Sequence, residues 1–204
     1  MMPSPAFAPY LVDRNIHAVV IGASAGGVDA MLRLFSGLPA TYPLPLIALL
    51  HMQEMRESRL ATVFQHRMSM RVKEAEDKET IVPGKLYFAS AGYHLSIEHS
   101  LSFSISCEPP LHFSRPSIDI LMESAADAYG PTLMGILLTG ASHDGAMGMQ
   151  KIKESGGLTV IQDPAEAEVA YMPQEAIKLQ TPDLILNLAD IHRLLMILDH
   201  QHVD

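Results

Sequence analysis

Gly22-Ala23-Ser24-Ala25-Gly26 is a G-x-S-x-G pattern at the end of an apolar run that starts at His17. In a sharp strand-to-helix turn, small neighbours let a serine protrude. The N–H groups behind it, with the positive end of the next helix, can hold a developing oxyanion. Two other readings compete. A serine there can simply cap the helix that follows, and a glycine-rich turn can cradle phosphate. The phosphate reading fails in detail: Gly27 is followed by Val28-Asp29 instead of Lys and Ser or Thr. Gly22, Gly26 and Gly27 also miss the G-x-G-x-x-G spacing, and the second buried run ends in His51 where a dinucleotide fold wants an acid.

A nucleophilic serine needs a base, and the base needs an orienting carboxylate. His51 stands at the carboxyl end of the second buried run, and Asp144 just past the end of Gly135-Ile136-Leu137-Leu138-Thr139-Gly140. Sites in open α/β sheets lie at the carboxyl ends of the strands. Ser24, His51 and Asp144 therefore share one edge of the predicted sheet. His143, next to Asp144, is the rival base, and Asp144 could instead cap the helix after it. The order Ser, His, Asp excludes the common α/β-hydrolase, which runs Ser, Asp, His.

The elements that must position these groups follow from periodicity. Strands are predicted at 17–22, 46–50, 133–139, 158–161 and 184–188, and helices at 28–36, 55–67, 117–129, 146–153, from Pro173, and to about His200. Leu95–Glu98 and Leu101–Ser106 alternate strictly, so residues 81–107 read as an antiparallel excursion. The mixed-charge run 73–79 reads as a solvated face or turn. The fold class expected is a three-layer α/β/α sandwich: a mostly parallel, doubly wound sheet with an inserted antiparallel hairpin region. One domain over 17–198 is expected, with tails at 1–16 and 199–204.

Composition narrows the function. A net charge of -9 argues against nucleic acid or an anionic membrane as partner. The single cysteine, Cys107, excludes an internal disulfide and a multi-cysteine metal site, and is expected to be buried packing. No H-x-x-x-H or H-E-x-x-H pair occurs, so neither metal nor cofactor is expected. The N-terminus lacks a signal-peptide pattern and the longest apolar run, 44–50, is too short to span a bilayer. A cytoplasmic protein is expected.

The residues resemble the catalytic domain of chemotaxis CheB-type protein-glutamate methylesterases. The likeness rests on IGASAGG (21–27), His51-Met52, KEAED (73–77), PGKLYFASAGYHL (83–95), RPSID (115–119), GILLTG with DGA (144–146), and YMPQEAI (171–177). It implies removal of methyl groups from glutamate side chains on the cytoplasmic helices of chemoreceptors, and deamidation of particular receptor glutamines. It also implies Ser24 as nucleophile, His51 as base and Asp144 as orienter. Ala25 and Ala141 would lie by the oxyanion, with Arg115, Ser117 and Met172 walling the pocket. Read from the residues alone, Arg115 could equally be an ion-pair partner, Ser117 a helix cap and Pro173 the first residue of a helix.

Three positions depart from the family's usual pattern: Ala25 replaces threonine, Leu50 replaces glutamine, and Gly140-Ala141-Ser142-His143-Asp144 replaces Gly-Met-Gly-Asn-Asp. Lost side-chain donors near an oxyanion cost about 10²–10³ in rate, whereas backbone N–H donors are indifferent to side chain. The family's chemotaxis enzymes usually carry a receiver domain ahead of the catalytic one. Too few residues precede the first strand for that, so control is expected to act in trans or be absent. The competing expectation is a catalytically idle module that keeps the fold to dock receptors or a signalling partner.

Overall fold

The computed structural model describes residues 8–11, 14–51, 60–111 and 113–201. Apolar, β-branched runs form the strands of its main sheet: β1 (Ala18–Ala23), β2 (Leu46–Leu50), β3 (Arg71–Glu74), β4 (Lys85–Phe88), β7 (Leu133–Leu137), β8 (Leu158–Gln162) and β9 (Leu184–Leu186). Their order is β3-β4-β2-β1-β7-β8-β9, and every pairing is parallel. The chain builds outward from β1 on one side as far as β3, then returns to β1 and builds outward on the other. The switch point is therefore at β1, where an open α/β sheet leaves a crevice at its carboxyl edge.

Because side chains alternate along a strand, each central strand feeds two cores. Val19, Ile21 and Ala23 face one layer with Leu46, Ala48 and Leu50, beneath α2 (Gly27–Phe35), α3 (Leu60–Gln65) and α7 (Leu188–Gln201). Ala18, Val20, Ile47 and Leu49 face the other, beneath α4 (Ile118–Tyr129), α5 (Ala146–Glu154) and α6 (Tyr171–Leu179). A short helix, α1 (Ala8–Leu11), precedes the sheet. The hairpin of β5 (His94–Ile97) and β6 (Phe103–Ser106) joins the second layer, where Phe103 meets the Tyr87 ring edge-on at 4.9 Å between centroids.

The sandwich matches expectation, but four details differ. The antiparallel excursion is smaller than residues 81–107: β4 is a parallel member of the main sheet, and only β5 and β6 pair antiparallel. Part of the charged run is the edge strand β3, in which only Val72 is buried; an edge strand with one neighbour tolerates charges. Pro173 is the third residue of α6, within the first turn where its missing N–H is harmless. Cys107 is exposed, because β6 ends one residue before it. Of the helix expected at 55–67, residues 55–59 lie outside the described ones. Among the described residues, no helix is long and apolar enough to cross a membrane.

Candidate active site

Ser24 follows the last residue of β1, and its surroundings are largely backbone. Its N–H donates to the Thr139 carbonyl (3.0 Å) beyond β7, and its carbonyl accepts the Gly27 N–H (2.8 Å) that opens α2. The turn closes through Gly26 at φ 77°, in the left-handed region. The Thr139 hydroxyl donates to the Ala25 carbonyl at 2.9 Å. In a trans peptide the N–H points opposite to the C=O, so this bond aims the Gly26 N–H away from Thr139. Among the described residues, the Ala25 and Gly26 N–H groups meet no acceptor. Ser24 caps nothing: the N-cap residue of α2 is Gly26, and no side chain caps it.

His51 lies beside this turn because β1 and β2 are in register, Ala23 against Leu50, and the His51 N–H extends the ladder to the Ala23 carbonyl at 3.0 Å. Ser24 and His51 line one cavity of about 380 Å³, with Gly26, Val28, Leu32 and Leu50 among its other walls. His51 Nε2 is 2.9 Å from Asp144 Oδ2. The ring N–H axis misses that oxygen, so the contact is a close approach and not a straight hydrogen bond.

Asp144 is fully buried. Its Oδ1 accepts the Ser117 hydroxyl (2.9 Å) and the Asp119 N–H (2.9 Å), and its Oδ2 accepts the Ile118 N–H (2.8 Å). These donors are the N-cap and the otherwise unpaired first-turn N–H groups of α4, so Asp144 occupies the positive end of a helix it does not belong to. Burial alone would raise its pKa. The contacts with His51 and with the Asp119 and Ile118 N–H groups outweigh that and hold it at about 2. The helix after Asp144, α5, is capped otherwise: its N-cap is Gly145, and the N–H groups of Gly145 and Gly148 donate to Asp119 Oδ1 at 2.8 and 2.7 Å.

The remaining predicted residues separate into two groups. Met172 is fully buried, and its Sδ and Ser24 Cβ stand 2.7 and 2.9 Å from where a Gly140 Cβ would be. Glycine at 140 is thus a condition for Met172 and Ser24 to close on each other. Ser117, buried, both caps α4 and donates to Asp144. Ala25, Ala141 and His143 are exposed. Arg115 braces its own loop, Nη1 donating to the Cys107 and Glu108 carbonyls at 3.1 Å each. Thr139 and Asp119 were given no role of their own by the sequence. His94 is buried, and its Nδ1 accepts the Ser117 N–H at 3.2 Å. The available signal was polarity at the ends of apolar elements: Thr139 closes a buried strand, and Asp119 sits in the first turn of an apolar helix.

Against known proteins, residues 19–195 match the family model described as CheB methylesterase. A provisionally named protein-glutamate methylesterase/protein-glutamine glutaminase of Leptospira interrogans is 42% identical over 190 residues, 93% of this chain and 98% of that one. Protein-glutamate methylesterase/protein-glutamine glutaminase 2 of Methanospirillum hungatei is 37% identical, and the match covers 92% of this chain but 53% of that one. The crystal structure of the Thermotoga maritima CheB methylesterase catalytic domain is similar at a TM-score of 0.83 and 28% identity, covering 91% of this chain and 98% of that one.

Proposed function

The chain belongs to the CheB methylesterase family, and from that premise we propose that it is a serine hydrolase acting on the methyl esters of glutamate side chains in chemoreceptors. Deamidation of receptor glutamines is the same acyl transfer with ammonia as leaving group. The observation that carries the reading is a single arrangement. His51 shares a cavity with Ser24 and holds the buried Asp144 carboxylate at 2.9 Å.

Ser24 Oγ attacks the ester carbonyl carbon while its proton passes to His51. Since Nε2 faces Asp144, the nitrogen that receives this proton is Nδ1. Charge develops on the carbonyl oxygen, where the Ala25 and Gly26 N–H groups stabilise it. Departing methoxide takes the proton from His51 and leaves as methanol. Water, deprotonated by the same imidazole, then splits the acyl-enzyme to glutamate and free Ser24. Asp144 fixes the imidazole tautomer and offsets its positive charge. Backbone donors make the chemistry indifferent to Ala25 in place of threonine. Asp144 draws its donors from α4, so the altered 140–143 segment leaves its carboxylate supported. The substrate carriers are the methylated cytoplasmic helices of receptors, which puts the protein in the cytoplasm.

Methanol release from methylated receptor fragments, wild type beside Ser24→Ala, tests this. Wild type releases methanol and acquires a fluorophosphonate adduct on the peptide containing Ser24; the variant does neither. A well-folded wild type that shows neither, beside a labelled control hydrolase, sinks the esterase and leaves a docking module.

A further inference from the structure

The two carboxylates nearest the base are exchanged between two helices. Asp144 stands before α5 yet caps α4; Asp119 lies in the first turn of α4 yet caps α5. Both are buried, at 0% and 1% exposure. Asp119 also donates its own N–H to Asp144 Oδ1 at 2.9 Å, which sets its carboxyl within the field of the Asp144 charge. Gly148, whose Cβ would lie 2.5 Å from Met122 Cβ and 3.3 Å from Asp119 Cα, lets the helices approach this closely.

We propose that Asp119 is a positioning residue for the triad carboxylate: it anchors the Asp144 loop through the Gly145 and Gly148 N–H groups, and its carboxyl, buried beside Asp144, sets the charge that His51 faces. This rests on the esterase reading for its catalytic consequence but not for its chemistry. With Asp119 protonated, the pair presents one negative charge to His51. With Asp119 ionised, the pair presents two in a buried setting where Coulomb interactions are strong, and the positive charge that develops on the imidazole during the reaction is offset more strongly. Burial, with the Asp144 charge adding to it and the Gly148 and Gly145 N–H groups opposing it, puts the Asp119 pKa at about 7. The packed elements bring few other charges here. β1 and β7 carry none. The loop before α5 carries His143 beside Asp144, the end of β2 supplies His51, and β5 supplies His94. On α5, Lys151 is turned to Asp127 and Lys153 to Asp183.

The experiment compares wild type, Asp119→Asn, Asp119→Ala and Asp144→Asn in the whole chain. Asparagine keeps an oxygen for the two N–H groups but cannot ionise. Expected for Asp119→Asn is a kcat about tenfold lower with KM unchanged, and a pH profile of kcat that lacks one ionisation near neutrality. Aspartate-carboxyl ¹³C NMR supplies a readout independent of esterase activity. One carboxyl titrates near neutral pH in wild type, is missing in Asp119→Asn, and titrates at lower pH in Asp144→Asn, where the neighbouring charge is gone. A wild type with no near-neutral aspartate, or one unmoved by Asp144→Asn, overturns the proposal. So does an Asp119→Asn pH profile superimposable on wild type. Should the wild type hydrolyse no ester, the proposed function fails and the NMR titration still decides this one. Should Asp119→Ala not fold, Asp119→Asn decides alone.

Discussion

The proposed nucleophile and the carboxylate proposed to orient its base are built in opposite ways. Ser24 sits in a half-exposed turn whose contacts are backbone: a ladder bond to Thr139, a turn closed by Gly26, and two N–H groups that meet no acceptor among the described residues. Asp144 is sealed in the core, with the Ser117 hydroxyl, two N–H groups of α4 and His51 on its oxygens. Side-chain changes beside Ser24 should therefore alter chemistry and spare the fold, whereas changes at Asp144 strike both. The family departures fit that division. Ala25 and Ala141 are exposed, while every donor to Asp144 is in or beside α4.

The sharpest way to break the comparison is at the open end. Ser24→Ala and His51→Ala should each lower kcat by on the order of 10⁶, with thermal unfolding unchanged for Ser24→Ala. His143→Ala, at an exposed position, should leave the rate within a few-fold. A strong loss at His143 with little at His51 would move the base to the aspartate loop.

At the sealed end, Asp144→Asn should cost about 10⁴ in kcat, as an uncharged partner favours the wrong imidazole tautomer. It should also destabilise the protein by about 1–3 kcal/mol, because the amide cannot accept all four contacts. Denaturant titration reads the second effect. An unchanged midpoint would show that Asp144 is as dispensable to the fold as Ser24.

Between the two ends lies Gly140. Gly140→Ala puts a Cβ 2.9 Å from Ser24 Cβ and 2.7 Å from Met172 Sδ. A displacement of the nucleophile by a fraction of an ångström should cost about 10² in kcat, with a smaller effect on stability since the Met172 side chain can yield. Steady-state kinetics with a small ester check it.

The gentlest test is pH. Asp144 is held at about 2 against an ordinary aspartate near 4, so its contribution to stability is present above pH 4 and is lost as pH falls towards 2. Asp119 is raised to about 7, so the folded state keeps a proton that the unfolded chain releases. Its contribution is present below pH 4 and is lost as pH rises from about 4 to 7. Urea midpoints of wild type should therefore decline from pH 5 to 8 more than those of Asp119→Asn. Parallel declines would contradict the assignment.

What was legible in the sequence follows the same division. Ser24 and His51 could be read because each ends a buried apolar run, and the end of a parallel strand is where chemistry collects. Asp144 could be read as a candidate, but its partner helix could not. A carboxylate before a helix looks like that helix's cap, and only the packing of α4 against α5 reveals the exchange. β3 was hidden by its charges, since a four-residue edge strand with one buried side chain carries no alternation strong enough to see. β4 was drawn into the hairpin because parallel and antiparallel strands of four residues look alike when their neighbours in the sheet are distant in sequence. Cys107 misled because alternation continued one residue past the last pairing.

The position of β1 in the middle of the sheet has a consequence for the order in which the protein is made. Its strand neighbours are β2, which begins about twenty residues later, and β7, which begins at Leu133. During synthesis the strand that ends beside Ser24 leaves the ribosome before the other strands of the sheet. It can pair with β2 soon afterwards, yet its other edge stays open until more than a hundred further residues have followed. That long-range closure is slow by its topology, and an unpaired central edge is an aggregation hazard while it lasts. Asp144 emerges just behind β7, so the closing of that edge and the arrival of the last residue of the proposed triad fall within one short stretch of translation.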